Sequence, residues 1–233
     1  MQLQDHWLNG ATYNGPKKEG RWDLDLRDDK QEYYATIFRA AHHYYYKDIK
    51  GLRRPPQNSF WKTKMKIKAF YESNSESNGN HREERRFLGA QIKIYNPQNP
   101  TIELYATTIH ELAHASHWDM AGSDFDNSET KVKESWARGV QWELTRMVYN
   151  GYQGGSTIRP SYTQVVIDMI DNANDFNNGS ENLLEDNVNG YSIKQIEDVL
   201  SNSSSWDAWK NNLKTKYNNA TENNLDALFN HWN

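Results

Sequence analysis

Residues 107–119 read TTIHELAHASHWD, with His110 and His114 four apart and Glu111 directly after the first histidine. On a helix, positions i and i+4 lie one turn apart on the same face. Both imidazoles can therefore offer a nitrogen to one ion at about 2.0–2.1 Å, the distance that zinc takes from histidine. Glu111 lies roughly 100° round the helix from His110. It is too far round to join easily as a ligand, yet it can reach a water on the metal. That is the physics of H-E-x-x-H, where the glutamate is the general base of a hydrolysis. The competing reading is a helix that happens to be rich in histidine.

A catalytic zinc usually takes three protein ligands and keeps one position open. His117 is the nearest candidate for the third, but it lies at i+7 from His110, about 10 Å along the axis. Three histidines on one straight helix do not converge easily on one ion. In the pattern H-E-x-x-H-x-x-G-x-x-H, the glycine position holds His117 and the last histidine position holds Met120, so that pattern fails. His117 reads as lining the cleft floor or packing behind the ligands. Glu134, in KESWARG, is the better candidate. It comes twenty residues after His114 on the next expected helix, off the apolar stripe of that helix. The small Ala137 and Gly139 would let the two helices approach. The alternative is that Glu134 is solvated, as expected of Glu129 and Glu143.

The elements that must position these residues follow from periodicity and breakers. QEYYATIFRAAHHYYYKDIK, residues 31–50, carries Tyr34, Ile37, Phe38, Ala41 and Tyr45 at helical spacing. Its His42 and His43 point in different directions and read as ordinary helix residues. WKTKMKIKAFYE alternates lysine with Met65, Ile67 and Ala69, and FLGAQIKIYN alternates through Ile92 and Ile94. Both read as strands, and the polar SNSESNGN between them as a loop, giving an antiparallel pair. After PQNP, a helix is expected from about Pro100 through Trp118, ending near Gly122, with Asn99 as its cap. Another runs from about Ser128 to Tyr149 with Val132, Trp136, Val140, Leu144 and Met147 or Val148 inward. Four more helices are expected at roughly 162–172, 192–201, 206–217 and 222–232. Ser192 with Gln195 fits a capping box, and Thr221 fits a cap.

The quoted stretch and ESWA together resemble the gluzincins, zinc metallopeptidases whose ligands are two motif histidines and a downstream glutamate. The matching residues are His110, Glu111, His114 and Glu134, and the resemblance covers roughly residues 60–150. It implies Zn2+ as cofactor, Glu111 as general base, a peptide or protein substrate, and an upstream strand, here GAQIKIYN, that pairs with extended substrate. It also implies an α+β, mostly helical zincin-like fold, with the small antiparallel sheet before the active-site helix. One departure matters. Many relatives carry an acidic residue four after the ligand glutamate, and this chain has Arg138 there. Asp119 and Asp124 are alternative sources of support for the histidines. Tyr149, Tyr152, Tyr162, His117 and Arg138 are open candidates for stabilising the oxyanion.

Composition bounds the rest. The 233 residues suit one domain: an arm at 1–30, a metal-site core at 60–150 and a helical lobe at 151–233. Net charge is −4 and pI about 6.1, so no basic field invites nucleic acid. Mean hydropathy is −1.02, and no apolar run approaches the roughly 20 residues of a membrane span. The hydrophobic fraction is only 36%, but 9 Trp, 14 Tyr and 7 Phe offset it with large buried area; Trp206, Trp209, Phe229 and Trp232 are expected in the core. Cysteine is absent, which removes thiolate ligands and so disfavours a peptide-deformylase type of site. The first ten residues lack a signal-peptide pattern. The Asn- and Ser-rich surface suits a secreted or cell-envelope protein, with a cytoplasmic one as the alternative.

The function expected is zinc-dependent hydrolysis of peptide bonds. The alternatives are a non-catalytic zinc-containing binding or surface module, and a zinc hydrolase of a non-peptide amide.

Overall fold

Alternating isoleucine and lysine build the sheet. The structure is a computed structural model and describes residues 2–5, 7, 10, 26, 28–57, 65–72, 78–81, 92–154, 160–172 and 187–233. Strands β1 (Gln2–Gln4), β2 (Lys66–Ala69), β3 (Gly79–His81) and β4 (Ile92–Ile94) form one sheet in the order β1-β2-β4-β3. β1 pairs parallel with β2, β2 parallel with β4, and β3 antiparallel with β4. Register sets Leu3 opposite Ile67, Ile67 opposite Ile92, and Ala69 opposite Ile94. All five are buried, while Lys66, Lys68 and Lys93 on the other face are half-buried. One covered face and one wetter face is what strict alternation demands.

The expected antiparallel pairing of residues 66–69 with 92–94 is corrected: the two strands run parallel. Period-two alternation reports which side chains share a face, and it carries no strand direction. Direction is decided by the connection. The segment read as a plain loop contains β3, which runs back along β4, so the chain reverses twice and returns parallel to β2. GNH has no apolar alternation to announce it. Within the segment read as an arm, Gln2–Gln4 form β1, and residues 11–25 lie outside the described residues.

The described chain divides into two compact units, Met1–Lys47 with Pro56–Leu112, and Asp48–Pro55 with Ala113–Asn233. The first holds the sheet and α1 (Asp29–Tyr46). Asp28 caps α1 by accepting from the Gln31 amide at 2.9 Å, with Asp29 and Glu32 in the favourable first turn. Tyr34, Ile37, Ala41 and Tyr45 are buried as expected, whereas Phe38 is 41% exposed. Tyr33 donates its hydroxyl to the Ile94 carbonyl at 2.8 Å, which fastens α1 to β4. Burial pushes that phenol well above its ordinary range. His43 is buried and shares a hydrogen bond with the Tyr105 hydroxyl, while His42 sits between the rings of Phe38 and Tyr46.

Helix α2 (Thr101–Ala121) passes from the first unit into the second. From Leu104 to His117 every residue but Thr107 is buried, so this helix is enclosed on almost all sides. Pro100 accepts the first helical bonds, from Glu103 and Leu104, and the side-chain amide of Asn99, expected as a cap, donates to Asn78. Gly122 ends the helix with φ of 58°, a conformation that glycine takes without steric cost.

In the second unit follow α3 (Ser123–Asn127), α4 (Thr130–Arg146), α5 (Val165–Ile170), α6 (Ile193–Leu200), α7 (Trp206–Lys216) and α8 (Leu225–His231). Val132, Trp136, Val140 and Leu144 of α4 are buried, and Met147 beyond them is 39% exposed. Gly139, expected to admit the metal-bearing helix, instead faces α5, where an added Cβ would collide with Val166. Glu143, expected to be solvated, is buried and paired with Lys50 and Arg146. The capping box of Ser192 and Gln195 is present on α6. Thr221 precedes a 3-10 turn, but its hydroxyl engages Asn189 and Asn219 rather than capping. Trp206, Trp209 and Phe229 form a buried aromatic cluster, and Trp232 donates to Asp168 at 2.7 Å. Among the described residues, no helix is long and apolar enough to cross a membrane.

Candidate metal centre

The i, i+4 spacing on α2 sets His110 and His114 one turn apart, and α4 supplies Glu134. The candidate ligand atoms of the three side chains all lie within 4.8 Å of one another. The two histidines are 8% and 7% exposed, and Glu134 is half-buried. His114 Nε2 stands 3.2 Å from Glu134 Oε2. Without an ion, this contact is a hydrogen bond in which Nε2–H donates to the carboxylate. To bind an ion, His114 Nε2 would have to present its lone pair instead, with the ring proton on Nδ1.

The donor set fits a small divalent ion. Four ligands at about 2.0–2.1 Å in a tetrahedron stand about 3.4 Å apart, close to the His114–Glu134 separation. The 4.8 Å span of the group is somewhat wider, which leaves room for the side chains to draw in on an ion. Two imidazoles and a carboxylate, with no thiolate in the chain, suit borderline divalent metals better than soft ones. The three residues expected as ligands are therefore brought together, and the metal's identity is left to chemistry rather than geometry.

Glu111, directly after His110, is 6% exposed. Its neighbour from the sheet is β3. A Cβ built on Gly79 would lie 2.8 Å from both Cγ and Oε1 of Glu111, and 3.0 Å from Thr107 Cγ2. Sequence reading missed this approach, because NGN has the composition of a loop. The only available signal was a lone glycine beside a short polar run.

His117 is 1% exposed and packs edge-on against Phe125 of α3, ring centroids 4.8 Å apart. Neither ring nitrogen has a hydrogen-bond partner among the described residues. Burial lowers its pKa to about 3, helped by the neighbouring His114 and Lys133. It is a neutral packing residue behind the ligand helix, one of the two readings expected of it. Asp119 and Asp124, considered as supports for the histidines, are exposed. Arg138 is 4% exposed and donates Nη1 to the Tyr162 carbonyl at 3.5 Å. Tyr152 is buried, its hydroxyl accepting from Gln141 at 2.8 Å, while Tyr149 and Tyr162 are half-buried.

GAQIKIYN, expected to pair with substrate, has no open edge over Ile92–Ile94: β2 takes one side and β3 the other. Among the described residues, β3 ends the sheet. No family model matches the chain, and neither a curated protein nor a solved structure matches it.

Proposed function

We propose that this chain is a zinc-dependent hydrolase of peptide bonds, with His110, His114 and Glu134 as ligands and Glu111 as general base. The observation that carries the reading is the convergence of those three ligand-type side chains with a buried glutamate one residue from the first. A structural zinc site has no need of such a glutamate, which weighs against a purely architectural role.

Bound zinc polarises a substrate carbonyl and lowers the pKa of a water towards 7. The protein's own part is to orient and to move protons. His110, His114 and Glu134, from two helices, would hold the ion that supplies this chemistry. Glu111 takes the proton of the attacking water and delivers it to the departing amine. Its burial keeps the carboxylate away from competing bulk water. Among the described residues the sheet ends at β3, whose Gly79 stands beside Glu111.

The test is a peptide library incubated with zinc-reconstituted protein, with and without a chelator. Cleavage that the chelator abolishes and zinc restores is expected. One zinc per chain without cleavage of any peptide would turn the reading to a zinc-bearing binding module or to a hydrolase of a non-peptide amide. Failure to bind zinc would remove all three readings.

A further inference from the structure

We propose that Gly79 is a positioning residue for Glu111: by carrying no side chain where β3 meets α2, it leaves Glu111 the conformation that it holds beside His110. This rests on the reading of Glu111 as a base, and it concerns what holds that base in place.

Two observations lead to it. The first is steric. An alanine Cβ at position 79 would stand 2.8 Å from Glu111 Cγ and Oε1. Atoms that close must move apart. The obstructed atoms belong to a side chain with three torsions, so the strain falls on where Glu111 sits and much less on the fold. Gly79 lies opposite Ile94, whose side chain is fully buried, and residues directly opposite share a face of the sheet. A side chain at 79 would therefore point at Glu111 and Thr107 of α2.

The second is that β3 cannot easily retreat. Asn78 Oδ1 accepts from Asn96 Nδ2 at 2.7 Å and from Asn99 Nδ2 at 3.0 Å. Its carbonyl accepts from the Tyr95 amide at 2.9 Å. Asn96 reaches this arrangement with φ of 57°, a conformation that asparagine tolerates better than most residues. The three asparagines tie the start of β3 to the turn that leads straight into α2. The start of β3 is thus fastened to the turn before α2, and Gly79 follows directly, facing Glu111 and Thr107. Asn78, from the segment read as a loop, Asn96, from the end of the expected strand, and Asn99, expected as a helix cap, supply the clamp.

Gly79→Ala, Glu111→Ala and the double variant test this by a double-mutant cycle in melting temperature, which needs no activity. If the added methyl group collides with the Glu111 side chain, Gly79→Ala alone lowers the melting temperature by about 3 °C or more, and most of that loss disappears when Glu111 has already been cut back by Glu111→Ala. Strictly additive losses would overturn the proposal. Should Gly79→Ala fail to fold, a folded double variant supports the contact and an equally unfolded one refutes it.

The functional arm uses zinc-loaded protein. Gly79→Ala is expected to keep one zinc per chain and its KM, while kcat falls about 100-fold, the scale set by a misplacement of about 1 Å. With cobalt in place of zinc, the pH at which the visible spectrum changes should shift in Gly79→Ala in the same direction as in Glu111→Gln. Unchanged kcat and an unshifted spectrum would overturn the role. If the wild type hydrolyses nothing, the hydrolase reading fails, while the cycle and the cobalt spectrum still decide whether Gly79 sets the position of Glu111.

Discussion

His114 of α2 and Glu134 of α4, twenty residues apart in the chain, meet with Nε2 and Oε2 3.2 Å apart, and His110 completes the group one turn earlier on α2. If this group binds a metal, each member is a full ligand. Outer-shell partners of ligands are worth about 10–100-fold in affinity, so removing a ligand should cost about 100-fold or more. His110→Ala, His114→Ala and Glu134→Ala should each show it in a chelator competition with zinc. Affinity should also fall as pH is lowered, because protons compete for the imidazoles. Wild-type affinity in Glu134→Ala would send the search for the third ligand elsewhere.

Glu111→Gln keeps the size of the side chain and removes its basicity. Zinc content and melting temperature should match the wild type, while kcat falls by about 100- to 10,000-fold, the usual range for a general base. Steady-state kinetics on a cleaved library peptide measure it, and an undiminished kcat would reject the assignment of Glu111.

His117 should make the metal-free protein acid-sensitive. Its pKa is about 3 in the folded state, against about 6.5 when unfolded. The unfolded chain therefore takes up a proton below pH 6.5 that the native state refuses. The stability contributed by the neutral ring is present above pH 6.5 and is lost progressively as pH falls towards 3. Between pH 7 and pH 5, the loss is about 2 kcal/mol. Urea unfolding with a chelator present, compared with His117→Phe, isolates the effect. Equal pH slopes in the two proteins would assign the sensitivity to other groups.

Gly139→Ala sets two terms against each other. Alanine gains about 1 kcal/mol in helix propensity. The new Cβ runs into the branch point of Val166, which cannot swing aside as a flexible end could. Overpacking of this kind costs about 1–3 kcal/mol. Net destabilisation of up to about 2 kcal/mol is expected, read from the urea midpoint. A more stable variant would mean that α5 shifts freely from α4.

The residues that do local work were legible from the chain alone. Helical spacing on its own brings His110 and His114 to one face, and a capping box such as Ser192 with Gln195 is closed within four residues. Alternation of Ile67, Ala69, Ile92 and Ile94 with lysines marked two strands and their buried face. Each of these depends on neighbours a few positions away, so spacing is nearly geometry.

Tertiary structure decided whatever depends on a distant partner. Strand direction was undetermined, because side-chain alternation is the same in parallel and antiparallel pairs, and β3 has no apolar pattern of its own. The faces of small residues were undetermined too: Gly139 serves α5, and Gly79 serves Glu111. Likewise, nothing local distinguishes Glu134 at the histidines from Glu143, buried against Lys50 and Arg146. A lone glutamate or glycine carries no periodicity. Its role comes only from what the packed chain brings against it.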